Sequence, residues 1–294
     1  MTKTLNPTLW VIIFLLLTAS NKSFTQNIHQ IKVMTWNIRL DTPDDGINQW
    51  QYRKNALGQE ILRQSPEILG VQEARDNQMK DLRKQLKGYK SIGVARDDGK
   101  KAGEYSAIFY LKKELKPLRC GTFWLSETPE IRGSRGWDAA CNRVVTWAEF
   151  KHKASGTRFL MMNTHFDHMG DTARIESAKL IIKKAASLAG ALPVIVTGDF
   201  NVTEKNRAYR ILTFAENEVV LSDTRKRANA IISGPDFSYT GWNPEETPTE
   251  LIDFIFASWD IKVMSNSIPS PDNTQPYFSD HLPVTAVLEL PIKP

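Results

Sequence analysis

With two cysteines in 294 residues, Cys120 and Cys141, the chain cannot build a zinc site of four thiolates. It has no glycine-rich dinucleotide fingerprint and no phosphate-binding P-loop, which sets aside Rossmann-type hydride transfer and P-loop nucleotide chemistry. No repeat recurs at a fixed short period, and no linker-like stretch divides the sequence. The apolar run at residues 9–17 is too short to span a bilayer comfortably. Lys3 precedes it, and small or polar residues follow at Ala19, Ser20, Ser23 and Thr25. This reads as a signal peptide over residues 1–25, cut near Thr25–Gln26; the alternative is an uncleaved N-terminal anchor. No cysteine follows the run, so a lipid-anchored cysteine is excluded. On this reading the protein is exported, to the periplasm or beyond, with no stable membrane span after cleavage. An oxidising compartment permits a Cys120–Cys141 disulfide, which spacing alone does not decide.

What is present points to one α/β domain over residues 28–292. Hydrophobic residues make up 41% of the chain, enough for a large core. The net charge of +5 falls to about +3 once Lys3 and Lys22 leave with the leader, a mild bias toward a polyanionic partner. Alternating or continuous apolar runs predict strands at 31–38, 68–73, 89–94, 104–110, 123–126, 143–150, 158–165, 193–199, 251–256 and 284–290. Helical periodicity predicts helices at 50–63, 77–86, from Asp171 onward, and at 207–215. The first should bury Tyr52, Ala56, Leu57, Ile61 and Leu62; Asp76 and Asp171 are read as caps. Residues 127–142 form a long loop, and 221–241 is loop-rich. Hairpins mixed among helices argue for a mixed sheet system with helices outside, against a doubly wound parallel sheet. A monomer is the simplest assembly.

Polar side chains collect where these strands end. The run 193–197 is apolar and stops at Gly198-Asp199-Phe200-Asn201. Residues i and i+2 of an extended segment share a side, so Asp199 and Asn201 should face one space. A turn with an Asx cap opening the next helix is the bland alternative. Asn37, Glu73, His165, Asp280 and His281 end other strands, and Asp253 sits inside an apolar one, where its charge needs a partner. Carboxylates, amides and histidines without a thiolate cluster suit a hard cation held by oxygen ligands, Mg²⁺ or Mn²⁺.

Thr35-Trp36-Asn37-Ile38, Val71-Gln72-Glu73, Asn163-Thr164-His165, Gly198-Asp199-Phe200-Asn201, Ile252-Asp253-Phe254-Ile255 and Ser279-Asp280-His281-Leu282-Pro283 occur in the order of the endonuclease/exonuclease/phosphatase superfamily, which the chain resembles along essentially its whole length after the leader. The resemblance implies a DNase-I-like four-layer sandwich, two mixed β-sheets face to face with helices outside, and metal-dependent hydrolysis of a phosphoester by an activated water. It assigns Glu73, Asn37 and Asp280 to the metal. Asp199 would activate the water or protonate the leaving group, and Asn201 would hold nucleophile and phosphate. His281, oriented by Asp253, would contact the scissile phosphate, with His165 as a second phosphate-facing histidine. Tyr105 and Arg143 lie where the DNase-like branch has phosphate contacts.

The inositol-phosphatase branch carries a Cys and an Arg around its orienting Asp; residues 248–254 lack both. Residues 124–129 and 136–138 resemble an exported bacterial subgroup. Asp167, His168 and Arg174 could reach a phosphate or sugar, or cap the following helix. The favoured substrate at this stage is a nucleic acid or nucleotide-type diester, with a lipid or sugar phosphate as the alternative. A non-catalytic module on the same fold comes last.

Overall fold

The computed structural model describes residues 1, 29–227, 229–243, 245, 249–270 and 277–291; the leader reading falls outside them apart from Met1. In chain order the elements are β1 (His29–Asn37), α1 (Trp50–Gln64), β2 (Ile68–Ala74), α2 (Asp76–Gln85), β3 (Tyr89–Ile92), β4 (Tyr105–Leu111), β5 (Leu115–Trp124), β6 (Val144–His152), β7 (Arg158–His165), α3 (Asp171–Ala189), β8 (Val194–Asp199), α4 (Arg207–Leu212), β9 (Leu221–Asp223), β10 (Ile231–Ser233), β11 (Asp253–Ser258), β12 (Lys262–Ser267) and β13 (Val284–Leu290). Among the described residues they form a seven-stranded sheet, β10-β12-β13-β1-β2-β4-β3, and a six-stranded sheet, β5-β6-β7-β8-β11-β9.

Both sheets are mixed. β1–β2 and β7–β8 run parallel, while β13 and β11 pair antiparallel to β1 and β8. The C-terminal ends of β1, β2, β7 and β8 therefore reach the same rim as the N-terminal ends of β11 and β13. That topology gathers residues from 37 to 281 at one edge.

Strand periodicity builds the layers. In β7, Phe159 and Met161 face the other sheet with Ile31, Val33, Ile68 and Ile195, while Leu160 and Met162 face α3 with Ile181 and Val196. A strand covered on both faces reads as a continuous apolar run. On the far side Met34, Trp36, Leu69 and Val71 pack under Leu57, Ile61, Met79 and Leu82 of α1 and α2. The result is the expected sandwich, helix–sheet–sheet–helix. No helix among the described residues is long and apolar enough to cross a membrane.

Several expectations are corrected. β5 starts at Leu115 because it is an edge strand: Lys116, Pro117 and Arg119 disguise it, and it needs a partner on one side only. β9 and β10 lie within the expected loop region, and β12 was unforeseen; the first two have three residues each and carry no periodicity to read. On α1, Tyr52 and Leu62 point outward, whereas Trp50, Arg53, Leu57 and Ile61 are buried. Arg75, not Asp76, is the N-cap residue of α2, and Gln78 Oε1 accepts from its backbone N–H. For α3 the first-turn donors of Thr172 and Ala173 are taken by Asp138 of the long loop, not by Asp171. Both cysteines are free thiols.

Candidate active site

The rim is set by strand alternation and one bulge. Thr35 and Asn37 of β1, Asn163 and His165 of β7, and Thr197 and Asp199 of β8 are i, i+2 pairs on the inter-sheet side. β2 departs from this rule. Gln72 faces the sheet interface, so Glu73 should face away. The register of β2 with β4 shifts between Val71 and Ala74, and Glu73 adopts a positive φ of 64°. Such a bulge re-aims a side chain at the cost of local strain, and Glu73 lines the cleft.

Asn37 Nδ2 donates to Glu73 Oε1 and to Asp199 Oδ2, both at 2.9 Å. Glu73 Oε2 accepts from the Leu40 backbone N–H at 2.9 Å. Asp199 Oδ1 accepts from the Asn201 N–H at 2.9 Å, an Asx turn, and Asn201 Nδ2 donates to the Phe166 carbonyl. The helix cap weighed in the alternative reading belongs to Asn206, which caps α4. Asp199 Oδ2 lies 3.4 Å from His165 Nε2 and 3.8 Å from His281 Nε2. His281 Nδ1 meets Asp253 Oδ2 at 2.8 Å, and Ser238 Oγ donates to the same oxygen at 2.6 Å. Asp280 stands beside Arg39 at 3.8 Å and accepts from Ser279 Oγ.

Burial and neighbours divide the titrations. Burial and the Asp253 carboxylate push Asp199 up to about 7, against His281 and the hydrogen bond from Asn37. Burial opposes charge on His281, but Asp253 and then Asp199 hold it well above the usual imidazole value. Burial, with Arg143 and Arg96 nearby, holds His165 well below it, so His165 is neutral. Burial would raise Glu73 too, yet Asn37, His281, the Leu40 N–H and Arg39 keep it below the ordinary range. Burial raises Asp280 and Glu104. The site thus pairs a carboxylate poised near neutrality with an imidazolium and an ionised Glu73, the separation general acid–base chemistry requires.

The residues fit a divalent cation. Ligand atoms of Glu73, His165 and Asp199 lie within 4.8 Å of one another. Buried carboxylates crowd one space beside the Asn37 amide, an oxygen donor set that suits a hard ion and a like-charge cluster that such an ion relieves. The cleft they line holds about 410 Å³.

Of the residues expected from the sequence, Asn37, Glu73, His165, Asp199, Asn201, Asp253, Asp280 and His281 converge here. Arg143 also lines the cleft: its Nε pairs with Asp167 at 3.3 Å, and its buried Nη1 has no hydrogen-bond partner, a seat for an anion. Arg143 Nη2 lies 3.0 Å from His168 Nδ1. A guanidinium only donates, so that imidazole nitrogen accepts and Nε2 carries the proton. Tyr105 does not line the cleft. Glu104, the preceding residue, faces it, and alternation turns Tyr105 away to donate to the Lys100 carbonyl. Arg174 is spent on the Asp167 carbonyl and the Asp171 carboxylate. Asp167 accepts from four backbone N–H groups, of Ala140, Cys141, Met169 and Gly170, and is structural.

Sequence reasoning missed Arg39, Arg96, Glu104 and Ser238. Arg39 follows Asn37 by two residues, a signal that was available. Glu104 sits 3.9 Å from His165 Nδ1 and pairs with Arg96 at 2.6 Å, contacts between distant segments that no local pattern carries.

Residues 34–281 match the Endonuclease/Exonuclease/phosphatase family. A Bacteroides vulgatus endonuclease/exonuclease/phosphatase is 45% identical over 90% of this chain and 100% of that one, with a TM-score of 0.85. A mannosyl-6-phosphatase of Bacteroides thetaiotaomicron is 35% identical over 88% of this chain and 99% of its own, with a TM-score of 0.81. Nocturnin of Drosophila melanogaster is 23% identical across 88% of this chain, which spans about half of Nocturnin's length, 47%.

Proposed function

The chain belongs to the endonuclease/exonuclease/phosphatase family, whose members are phosphoester hydrolases, and from that premise we propose that it is a divalent-metal-dependent phosphatase acting on a sugar phosphate. The observation that carries the chemistry is the meeting of Asp199, the Asp253–His281 pair and Glu73 in one cleft.

A cation at Glu73, with Asn37 and Asp280 as the further ligands that the family resemblance assigns, would supply charge neutralisation at the phosphate, and oxygen ligands of this kind suit Mg²⁺ or Mn²⁺. This chain's own residues do the rest. His281, kept protonated by Asp253, donates to a non-bridging oxygen, and Arg143 Nη1 donates to another. Asn201 orients the attacking water. Asp199, near neutrality, takes its proton while the P–O bond to the sugar oxygen breaks and that oxygen takes a proton from solvent water; neutral His165, 3.4 Å away, steadies Asp199.

Three observations support a small sugar phosphate over the polymer favoured from sequence. One is the 35% identical relative named for mannosyl 6-phosphate. Another is the size of the cleft, which suits one small molecule. The third is that its wall offers carboxylates, Glu104 and Glu250, that can accept from sugar hydroxyls beside the arginines that meet the phosphate. Nucleic acid remains the second reading, favoured by the net positive charge. Export through the leader belongs to the same proposal; N-terminal sequencing after expression with the leader should find a start near Gln26.

The test offers mannose 6-phosphate, single-stranded DNA and RNA with Mg²⁺ or EDTA across a salt series. Metal-dependent release of phosphate from the sugar, with little salt dependence, supports the proposal. Cleavage of nucleic acid that falls steeply with salt moves the assignment to the second reading.

A further inference from the structure

The catalytic cleft has Arg96 and Glu104, ion-paired at 2.6 Å, in its wall. A second cleft, of about 450 Å³, adjoins it, and the two share Arg96 and Glu104 in their walls. Its other lining residues include the cations Arg75 and Lys101, the carboxylates Asp76 and Asp97, and the neutral amide of Asn77. We propose that this second cleft is a subsite for the neutral, polyhydroxylated remainder of the substrate, so that the enzyme's preferred ester is a phosphorylated sugar carried on a longer glycan. The proposal rests on the sugar-phosphate reading above and extends it.

Charge chooses the class of ligand. Arg75, Arg96 and Lys101 face Asp76, Asp97 and Glu104, three of each sign. A second anionic group would gain from the cations and lose to the carboxylates. Hydroxyl groups both donate and accept, and so can use both sets. The carboxylates are already steadied within the protein: Glu104 by Arg96 at 2.6 Å, Asp76 by Lys80 at 2.7 Å, Asp97 by Asn142 Nδ2 at 3.1 Å. Each keeps lone pairs for a donor. Arg96 Nε is buried and has no hydrogen-bond partner, while Lys101 and Arg75 are exposed donors.

The walls are braced rather than loose. Trp124 Nε1 donates to the Arg96 carbonyl at 2.6 Å, fixing the loop between β3 and β4 to β5. Tyr105 Oη ties the Lys100 carbonyl at 2.8 Å to Asp76 Oδ1 at 3.3 Å, joining that loop to the start of α2. Gly103 has a φ of 85°, and a Cβ there would lie 2.4 Å from Asp97 Oδ2, so the loop keeps its shape only with glycine. Tyr105, which the family pattern assigned to phosphate, thus braces this second cleft.

The shared Arg96–Glu104 pair sets the direction of the proposed subsite. With phosphate at Asp199 and Glu73, a leaving group longer than one sugar runs past the Arg96–Glu104 pair toward Lys101 and Asn77. Arg75, Asn77 and Lys101 stand outside the catalytic set, so changing them should act on binding of the distal sugar alone.

The experiment compares mannose 6-phosphate, a mannobiose phosphorylated at the 6-hydroxyl of its non-reducing sugar, and the same disaccharide carrying a second phosphate on the distal ring. Each is offered to the wild-type protein and to an Arg75→Ala/Lys101→Ala variant. Expected for the wild type is a kcat/KM about tenfold higher on the phosphodisaccharide than on the monosaccharide, seen mainly in KM. The variant should lose that preference and keep the monosaccharide rate within about twofold. Equal rates on mono- and disaccharide in the wild type overturn the subsite while leaving the phosphatase assignment intact. Preference for the doubly phosphorylated disaccharide overturns its neutral character. A variant that weakens both substrates equally also overturns it. Absence of hydrolysis from every sugar ester, with p-nitrophenyl phosphate still cleaved, overturns the sugar-phosphate reading and the subsite together.

Discussion

Between the two sheets, Thr35, Gln72, Asn163 and Thr197 make a polar cluster that is nearly closed on itself. Asn163 Nδ2 donates to the carbonyls of Val71 and Ala107 at 3.0 Å, and its Oδ1 accepts from Gln72 Nε2 at 2.7 Å and Thr197 Oγ1 at 3.0 Å. Gly70 makes room: a Cβ there would lie 2.3 Å from Asn163 Oδ1. One or two residues further along the same four strands stand Asn37, Glu73, His165 and Asp199, equally buried or nearly so, but crowded with like charges and with His165 Nδ1 lacking a hydrogen-bond partner. The interior cluster uses its polarity to lock the sheets together. The rim holds polarity that folding leaves only partly satisfied, and a cation and a phosphate can complete it. Residue type does not separate the two; satisfaction does.

The widest split between these clusters should appear in the rim variants. His281→Ala or Asp199→Asn is expected to lower kcat by about 10³-fold or more while the melting temperature moves by only a few degrees, read by steady-state hydrolysis beside thermal melts. Collapse of the fold in step with activity would erase the distinction. The converse change, Asn163→Ala, removes four hydrogen bonds from the inter-sheet core, those to the Val71 and Ala107 carbonyls, Gln72 and Thr197, and should cost about 3 kcal/mol or more in urea unfolding. A cost below about 1 kcal/mol would mean the interior network does not hold the sheets.

A pH series in EDTA sharpens the comparison. Asp199 has its folded value raised from 3.8 to about 7, so the folded chain binds its proton more tightly than the unfolded chain does. Its contribution to stability is full below the ordinary carboxylate value and is lost as pH rises through about 7. Asp199→Asn should flatten that decline, and an unchanged profile would contradict the assignment. The smallest effects mark the boundary of the site. Arg143→Ala should reduce kcat/KM by about 10²-fold, whereas Arg174→Gln and Tyr105→Phe should change hydrolysis of a small monoester by less than about threefold.

Much of this was legible because both sheets are buried on two faces. Continuous apolar runs such as 159–162 and 193–196 located the central strands, and the polar residues ending them located the rim. Topology then did what spacing alone could not: it placed Asp253 of β11 opposite Asp199 of β8. The edge strand β10 and most of the edge strand β5 stayed hidden because an edge tolerates polar residues and proline, and β12, between β10 and β13, is mostly polar itself. Tyr105 misled because position in a family pattern does not fix which face of a strand a residue takes, and in this chain Glu104 takes the cleft side. The bulge that turns Glu73 inward could not be read from its neighbours either, since a positive φ at a glutamate has no sequence signature.

The most direct test takes the chain from Gln26 onward and follows p-nitrophenyl phosphate hydrolysis with Mg²⁺, with EDTA, and in Asp199→Asn, recording a melting curve for each. The account predicts turnover only in the wild type with metal, from three samples that all melt as folded protein. Undiminished turnover in EDTA or in Asp199→Asn would contradict the claim that the rim is a metal-dependent phosphoester hydrolase.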